Sequence, residues 1–391
     1  MRKRIFVIIV AIISLLTILS LVGCTPTDKK YLEKMGSYGF WSNTPAQSIA
    51  QYKYFQIMDE FLKDGKIENG SVVKDGKIKK IAFIGWDGVR ADGMLNILNT
   101  VNEKENLDGN YNGEAPYSGI RKLKDEGGLY LAYCGGEKGK SSEQDTSTAT
   151  SWTSEFTGVW AEKHGVLSNN HEKVAIGYDT IFMKYGRLGL NTSFQFDWGE
   201  MFDNAFYNEV KELTNNAELG SRVYYKDIDR TVASSVEDMM VIEGKQKRNW
   251  LGTEDLTVFN HTAVNAVPAD SPYDSAMRDA ILARIGAGDD IVAGIFHNND
   301  SNGHSTGFSN ENPNYVNSIR SSDLYTYEII QAIKARESEF NEDWLIIVAN
   351  DHGGSEKGHG KQILEHRTNW IATNKPIDSK YFATNYNGFQ E

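Results

Sequence analysis

The run KKIAFIGWDG, residues 79–88, decides the fold. Ile81 to Trp86 is apolar without alternation, bounded by Lys79-Lys80 on one side and Asp87-Gly88 on the other. A short continuous apolar run of this kind reads as a strand buried on both faces. Such a strand needs layers above and below it, so the neighbouring sequence must supply helices. It does. Ile291–Phe296 and Trp344–Ala349 are two more runs of the same type, and Leu129–Cys134 is a fourth strand. Between them lie helical patterns: 117–125, a segment after Pro272 with Met277, Ile281 and Ile285, and 313–336 with Val316, Ile319, Leu324, Tyr327, Ile330 and Ile333. Strands alternating with helices predict an α/β fold, a mainly parallel central sheet with helices on both faces.

Further out the pattern is less regular. Thr44-Pro45 reads as an N-cap and first helical position, opening a helix to Lys63 with Ile49, Tyr52, Phe55, Met58 and Leu62 at helical spacing. Residues 65–77 read as a loop or hairpin. Residues 190–270 read as a less regular insertion, with a strand at 193–198, a helix at 229–242 and a strand at 256–259.

The chain has 391 residues, 40% hydrophobic and 24% charged, with seven prolines, which suits a globular enzyme-sized core without long linkers. Arg2, Lys3 and Arg4 precede an apolar stretch from Ile5 to Leu19, and Leu21-Val22-Gly23-Cys24 follows. This resembles the lipobox of bacterial lipoproteins. It implies a signal peptide over 1–23, lipid on Cys24, a tether over 24–43 and a catalytic domain over 44–391. The protein is then an extracytoplasmic, membrane-anchored lipoprotein. Cys134 is the only other cysteine, so no intrachain disulfide is expected. Loss of Arg2, Lys3 and Arg4 subtracts three positive charges, taking the net charge from −12 to −15. That excess disfavours a nucleic-acid-binding surface. An anionic small molecule would need local positive charge.

Three strand ends deliver metal-ligand chemistry. The first gives Asp87, the second Asp300 and His304 in HNNDSNGH, the third Asp351 and His352 in NDHGG. In open α/β sheets, ligands bind beyond the carboxyl ends of the strands. A hydroxyl-rich run, QDTSTATSWTSEFTGVWAEKH at 144–164, follows the Leu129–Cys134 strand and holds candidate nucleophiles: Thr146, Ser147, Thr148, Thr150 and Ser151.

Taken together, GWDGVR (85–90), TSTATSW (146–152), TGVWAEKHGV (157–166), DSNGH (300–304), DHGG (351–354) and GHG (358–360) resemble the alkaline phosphatase superfamily, in particular its nucleotide pyrophosphatase/phosphodiesterase-like branch. The resemblance implies two zinc ions, one held by Asp87, Asp351, His352 and the nucleophile, the other by Asp300, His304 and a last histidine. For that last ligand His359 fits the short HG pattern, whereas His366 sits amid polar residues and reads as a surface group. The nucleophile of this branch lies sixteen residues before the histidine of the HG pair, which is Thr148 counted from His164. The asparagine five residues after that histidine, which contacts a phosphoryl oxygen in the family, is Asn169. Thr150 stands where the family commonly has proline. Asp and His without thiolate form a ligand set that zinc accepts, and manganese also.

The implied activity is hydrolysis of phosphate esters, phosphodiesters or nucleotide pyrophosphates above all, through a phospho-threonine. The substrate would be a small-molecule phosphate ester or nucleotide. Other readings are a phosphomonoesterase, a phosphoglycerol-type transferase, or a non-catalytic solute-binding lipoprotein. A sulfatase is disfavoured, because no Cys/Ser-x-Pro-x-Arg context surrounds Thr148. Gly139-Lys140-Ser141 imitates the end of a P-loop, but Cys134 occupies the place of its first glycine. No arginine stands beside the nucleophile run to clamp a dianionic phosphate, which favours diesters.

Overall fold

The structure, a computed structural model, describes residues 26–102, 118–170, 172–228 and 272–383. Among these residues ten strands make one sheet. In chain order they are β1 (Ile49–Ala50), β2 (Lys66–Glu68), β3 (Ser71–Lys74), β4 (Lys77–Trp86), β5 (Gly128–Tyr133), β6 (Thr192–Phe196), β7 (Val223–Asp227), β8 (Ile291–Phe296), β9 (Glu342–Ala349) and β10 (Thr368–Thr373). The order across the sheet is β1-β5-β10-β9-β4-β8-β6-β7, with the β2–β3 hairpin joined to β4. The central pairs β4–β9, β4–β8 and β6–β8 are parallel. Only β10 within that path runs antiparallel to its neighbours, β5 and β9. The mainly parallel α/β sheet expected from the sequence is the one found.

Register brings the strand ends level. Trp86 lies opposite Phe296, Gly85 opposite Ala349, and Gln195 opposite Gly294. The residues that follow each strand, Asp87, His297, Asn350-Asp351 and Asp197, therefore leave the sheet along one edge.

Side chains alternate across a strand, and β4 feeds two cores. Ile81 and Phe83 join Trp152, Phe156, Phe182 and Phe194 on one face. Ala82, Ile84 and Trp86 join Met94, Leu98, Ile319, Ile330 and Trp344 on the other. Burying side chains of this size stabilises by roughly 1.5–3 kcal/mol each. Rigidity at the edge thus comes from two packed layers. Gly85 is part of this fit, because a Cβ there would stand 2.6 Å from Trp152 Cη2.

Several expectations are corrected. Thr44 and Pro45 do open a turn with a capping box, but it is a 3₁₀ turn of Pro45–Gln47. Ile49–Ala50 then pairs with β5, and the helix begins only at Lys53, ending at Leu62. The backbone at 49–50 gains more from the sheet edge than from extending a helix. The expected tether contains a helix, Pro26–Ser37, with Met35 buried. Residues 190–228 are no irregular insertion, since they supply β6 and β7 to the sheet. The expected helix at 229–242 and strand at 256–259 lie outside the described residues, as do the leader and Cys24. Among the described residues no helix is long and apolar enough to cross a membrane.

Candidate active site

Asp87 ends β4, and Asp351 and His352 follow β9; all three are without exposure. Their secondary contacts aim them at one point. Trp152 Nε1 donates to Asp87 Oδ2 at 3.0 Å. The backbone N–H groups of Gly88 and His352 donate to Asp351 Oδ1 at 3.0 and 2.8 Å. Gly88 has φ +68, and a Cβ there would meet Asp300 at 2.8 Å, so only glycine fits. His352 Nε2 then lies 3.2 Å from Asp351 Oδ2 and 3.7 Å from Asp87 Oδ1.

The hydroxyl-rich run forms a buried helix, Thr148–Thr157, with Ser147 at its N-cap position. Thr148 stands at its N-terminus. Thr153, Ser154 and Thr157 hydroxyls donate to carbonyls four residues back, which is how a buried helix tolerates them. Thr146 donates to the Lys361 carbonyl, and Ser147 to the Thr150 hydroxyl. Ser151 is buried within the helix. Thr148 Oγ1 is the hydroxyl of the run that meets a ligand histidine, His352 Nε2, at 3.4 Å. His164 is internal: its Nε2 meets Ser154 Oγ at 3.0 Å and its Nδ1 accepts from Val166 N. Asn169 Oδ1 accepts from Ala149 N at 2.9 Å, holding Asn169 beside the helix start.

Asp300 and His304 share one face of the helix Asn298–Thr306. His304 Nε2 is 3.3 Å from Asp300 Oδ2, and His359 Nε2 is 3.7 Å from Asp300 Oδ1. The two imidazole Nε2 atoms stand 3.1 Å apart. His352 and His359 rings stack with centroids 3.9 Å apart, which joins the two groups. The sequence-derived ligands therefore all converge. His366 does not join them: it is fully buried, against the expectation of a surface group, and held by Ser355 and Lys361.

All three ligand histidines are wired alike. Nδ1 donates to a backbone carbonyl in each: His352 to Gly353 (2.8 Å), His304 to Lys357 (2.9 Å) and His359 to Thr146 (3.1 Å). A carbonyl can only accept, so in the neutral ring Nε2 keeps its lone pair and turns it inward. Opposite these lone pairs, Asp87 Oδ1, Asp300 Oδ1 and Asp351 Oδ2 are buried without a hydrogen-bond partner. Buried acceptors facing buried acceptors are costly unless a cation lies between them. The residues fit a divalent metal pair. Groups of three ligand atoms within 4.8 Å of one another occur for Asp87, Asp351 and His352 and for Asp300, His352 and His359.

Burial and mutual charge divide the cluster, and of the three histidines only His304 is pushed toward its charged form. Burial and the Asp300 charge push Asp87 up to about 7. Burial, then Asp87, raises Asp351 well above the usual carboxylate range. For Asp300 burial works the other way, but the His304 hydrogen bond and the charges of His359, His352 and His297 outweigh it and hold it low. Its hydrogen bond to Asp300 lifts His304 to about 9. Burial pushes His352 and His359 down.

A cleft of about 560 Å³ opens over the cluster, with Thr148, Asn169, Trp198, His297, His304 and His359 in its wall. Sequence reasoning missed His297 and Asp197. His297 Nδ1 donates to Asp197 Oδ1 at 2.9 Å, and its Nε2 lies 3.8 Å from Asp300 Oδ2. Burial alone would lower His297, but Asp197, Asp87 and Asp300 raise it to about 10. A signal was present, because His297 follows β8 and Asp197 follows β6 just as Asp87 follows β4.

Residues 144–373 match the type I phosphodiesterase / nucleotide pyrophosphatase family, more than half of the chain. The chain belongs to that family. The matched span of this phosphodiesterase-family protein opens on the hydroxyl-rich run and includes every candidate ligand except Asp87. No curated protein matches the sequence. Among solved structures, phosphonoacetate hydrolase from Sinorhizobium meliloti 1021 is 14% identical, covering 73% of this chain and 60% of that one, with a TM-score of 0.38. Murine ectonucleotide pyrophosphatase/phosphodiesterase 5 is 15% identical, covering 71% and 57%, with a TM-score of 0.36. Alkaline phosphatase from the Antarctic bacterium TAB5 is 11% identical, covering 79% and 96%, with a TM-score of 0.39. This family member thus spans about six-tenths of the length of the first two.

Proposed function

We propose that the chain hydrolyses phosphate esters, phosphodiesters or nucleotide pyrophosphates in preference to monoesters, through a phospho-threonine on Thr148 beside two zinc ions. One observation carries this reading: the Nε2 atoms of three carbonyl-anchored imidazoles gather on the carboxylates of Asp87, Asp300 and Asp351, three of whose buried oxygens have no partner, next to the Thr148 hydroxyl. Asp87, Asp351 and His352 would hold one ion with Thr148, and Asp300, His304 and His359 the other. Bound there, such ions supply positive charge to the attacking and leaving oxygens of an in-line displacement.

The chain's own groups do the rest. Thr148 Oγ1 attacks phosphorus, its proton departs, and the bond from phosphorus to the leaving alcohol or phosphate breaks. Water then attacks the phospho-threonine, frees the phosphorylated product and restores the hydroxyl. Asn169 keeps Oδ1 on Ala149 N, so its amide N–H groups are the ones offered to a phosphoryl oxygen. The N-terminus of the Thr148 helix adds its positive dipole end. The cleft wall carries no lysine or arginine among the described residues, and without a cationic clamp for a dianion the reading leans to diesters.

The test compares a nitrophenyl phosphate monoester with a nitrophenyl nucleotide diester on the zinc-loaded full chain. The diester should turn over faster. A large monoester preference would overturn the substrate class. We further propose that Cys24 is lipidated and that the protein sits outside the cytoplasm; metabolic labelling with a radioactive fatty acid should mark the wild type and not Cys24→Ala.

A further inference from the structure

We propose that His366 is a positioning residue: its ring pins shut the loop that carries His359, and so sets the second cation half-site, an inference that rests on the two-cation reading above.

His366 lies seven residues beyond His359 and outside the ligand set, yet it is fully buried. Lys361 N donates to its Nδ1 at 3.0 Å, so that nitrogen carries the lone pair. The ring hydrogen is then on Nε2, which donates to Ser355 Oγ at 2.7 Å. One neutral imidazole thereby ties residue 355, before His359, to residue 361, after it. Ser355 and Gly358 close the near half of the loop with two backbone hydrogen bonds, at 2.9 and 3.0 Å.

What the loop holds explains why pinning it matters. The Lys357 carbonyl fixes the His304 ring, and the Glu356 carbonyl accepts from Phe308 N at 2.7 Å. On the other side Gly360 N donates to the Thr146 carbonyl at 3.0 Å, the same carbonyl that fixes His359. Two of the three ligands of that half-site therefore depend on this loop, one as a member and one through a carbonyl. Asp87 and Asp351 depend on strand register instead. The bond from Gly353 N to the His366 carbonyl is main-chain and survives any side-chain change.

The experiment measures zinc per chain and both dissociation constants, by competition with a chromogenic chelator, on the full chain, with circular dichroism as the folding check. Wild type should hold two zinc ions. His366→Ala should raise the weaker site's constant by roughly 10–100-fold, the usual effect of losing a supporting partner, and leave the tighter one unmoved. His366→Asn, whose Oδ1 can still accept from Lys361 N, should recover part of the loss. Should His366→Ala not fold, Ser355→Ala decides in its place, with a rise of a few-fold expected at the weaker site alone. Unchanged constants, or both rising together as general loosening would make them, overturn the role of His366 and leave the two-cation reading standing. Wild type holding fewer than two zinc ions overturns that reading, and this inference with it.

Discussion

The two halves of the ligand cluster are built differently. Asp87, Asp351 and His352 stand at the ends of two adjacent parallel strands and have no exposure. Asp300 and His304 stand on a nine-residue helix, His359 stands in a loop, and the His304 side chain is 44% exposed. Sheet register, fixed by eight paired residues between β4 and β9, positions the first half. A handful of hydrogen bonds across a loop positions the second. The first is a preformed, desolvated socket whose carboxylates resist ionising without a cation. The second opens to the cleft and has the looser frame.

The predictions that would break or sharpen this contrast run from large to small. Thr148→Ala removes the group on which both halves act, so kcat should fall by on the order of 10³–10⁶ while both zinc ions stay. A variant that keeps most of its turnover would remove Thr148 from the chemistry. Asp351→Asn strikes the sheet-built half. Zinc per chain should drop, and kcat/KM should fall by roughly a thousandfold, read by metal analysis and steady-state kinetics on one sample. His304→Ala strikes the loop-built half at its most exposed ligand. Its zinc affinity should fall by roughly 10–100-fold, and excess zinc should restore activity, which it should not do for Asp351→Asn.

The smallest effect is a pH dependence confined to the loop. Burial pushes His366 down to about 4, with His359, Lys361 and Arg90 adding positive charge around it. An unfolded histidine titrates near 6.5, so between about 6.5 and 4 the unfolded chain takes up a proton that the folded loop refuses. Stability from this group is complete above that window and is lost as pH falls through it. The Tm of wild type should therefore fall further between pH 7 and 4.5 than that of His366→Asn. Equal falls would show that the ring carries no such penalty.

The same contrast governs what could be read from the sequence. β4, β8 and β9 were legible because strands buried on both faces must be continuously apolar, and their ends pointed to Asp87, Asp300 and Asp351. β10 was not, because Thr368, Asn369 and Thr373 are polar and buried; Asn369, for one, is satisfied by the Asn350 and Asp351 carbonyls. Ile49, Tyr52 and Phe55 imitate a helix face, yet Ile49 belongs to an edge strand whose partner lies some eighty residues away. His366 looked like a surface group because its neighbours are polar, and spacing cannot reveal that a loop folds back over it. His297 was within reach, since it follows Phe296 as Asp87 follows Trp86. Ligand identity was local information; the frame that holds the second half was not.

The central claim is that these two differently built halves hold a metal pair beside Thr148. Anomalous diffraction at the zinc edge, from crystals of the zinc-loaded protein, tests it most directly. Two peaks should appear, one among Asp87, Asp351, His352 and Thr148 and one among Asp300, His304 and His359. No peak in either group, or zinc bound only elsewhere on the surface, would contradict it.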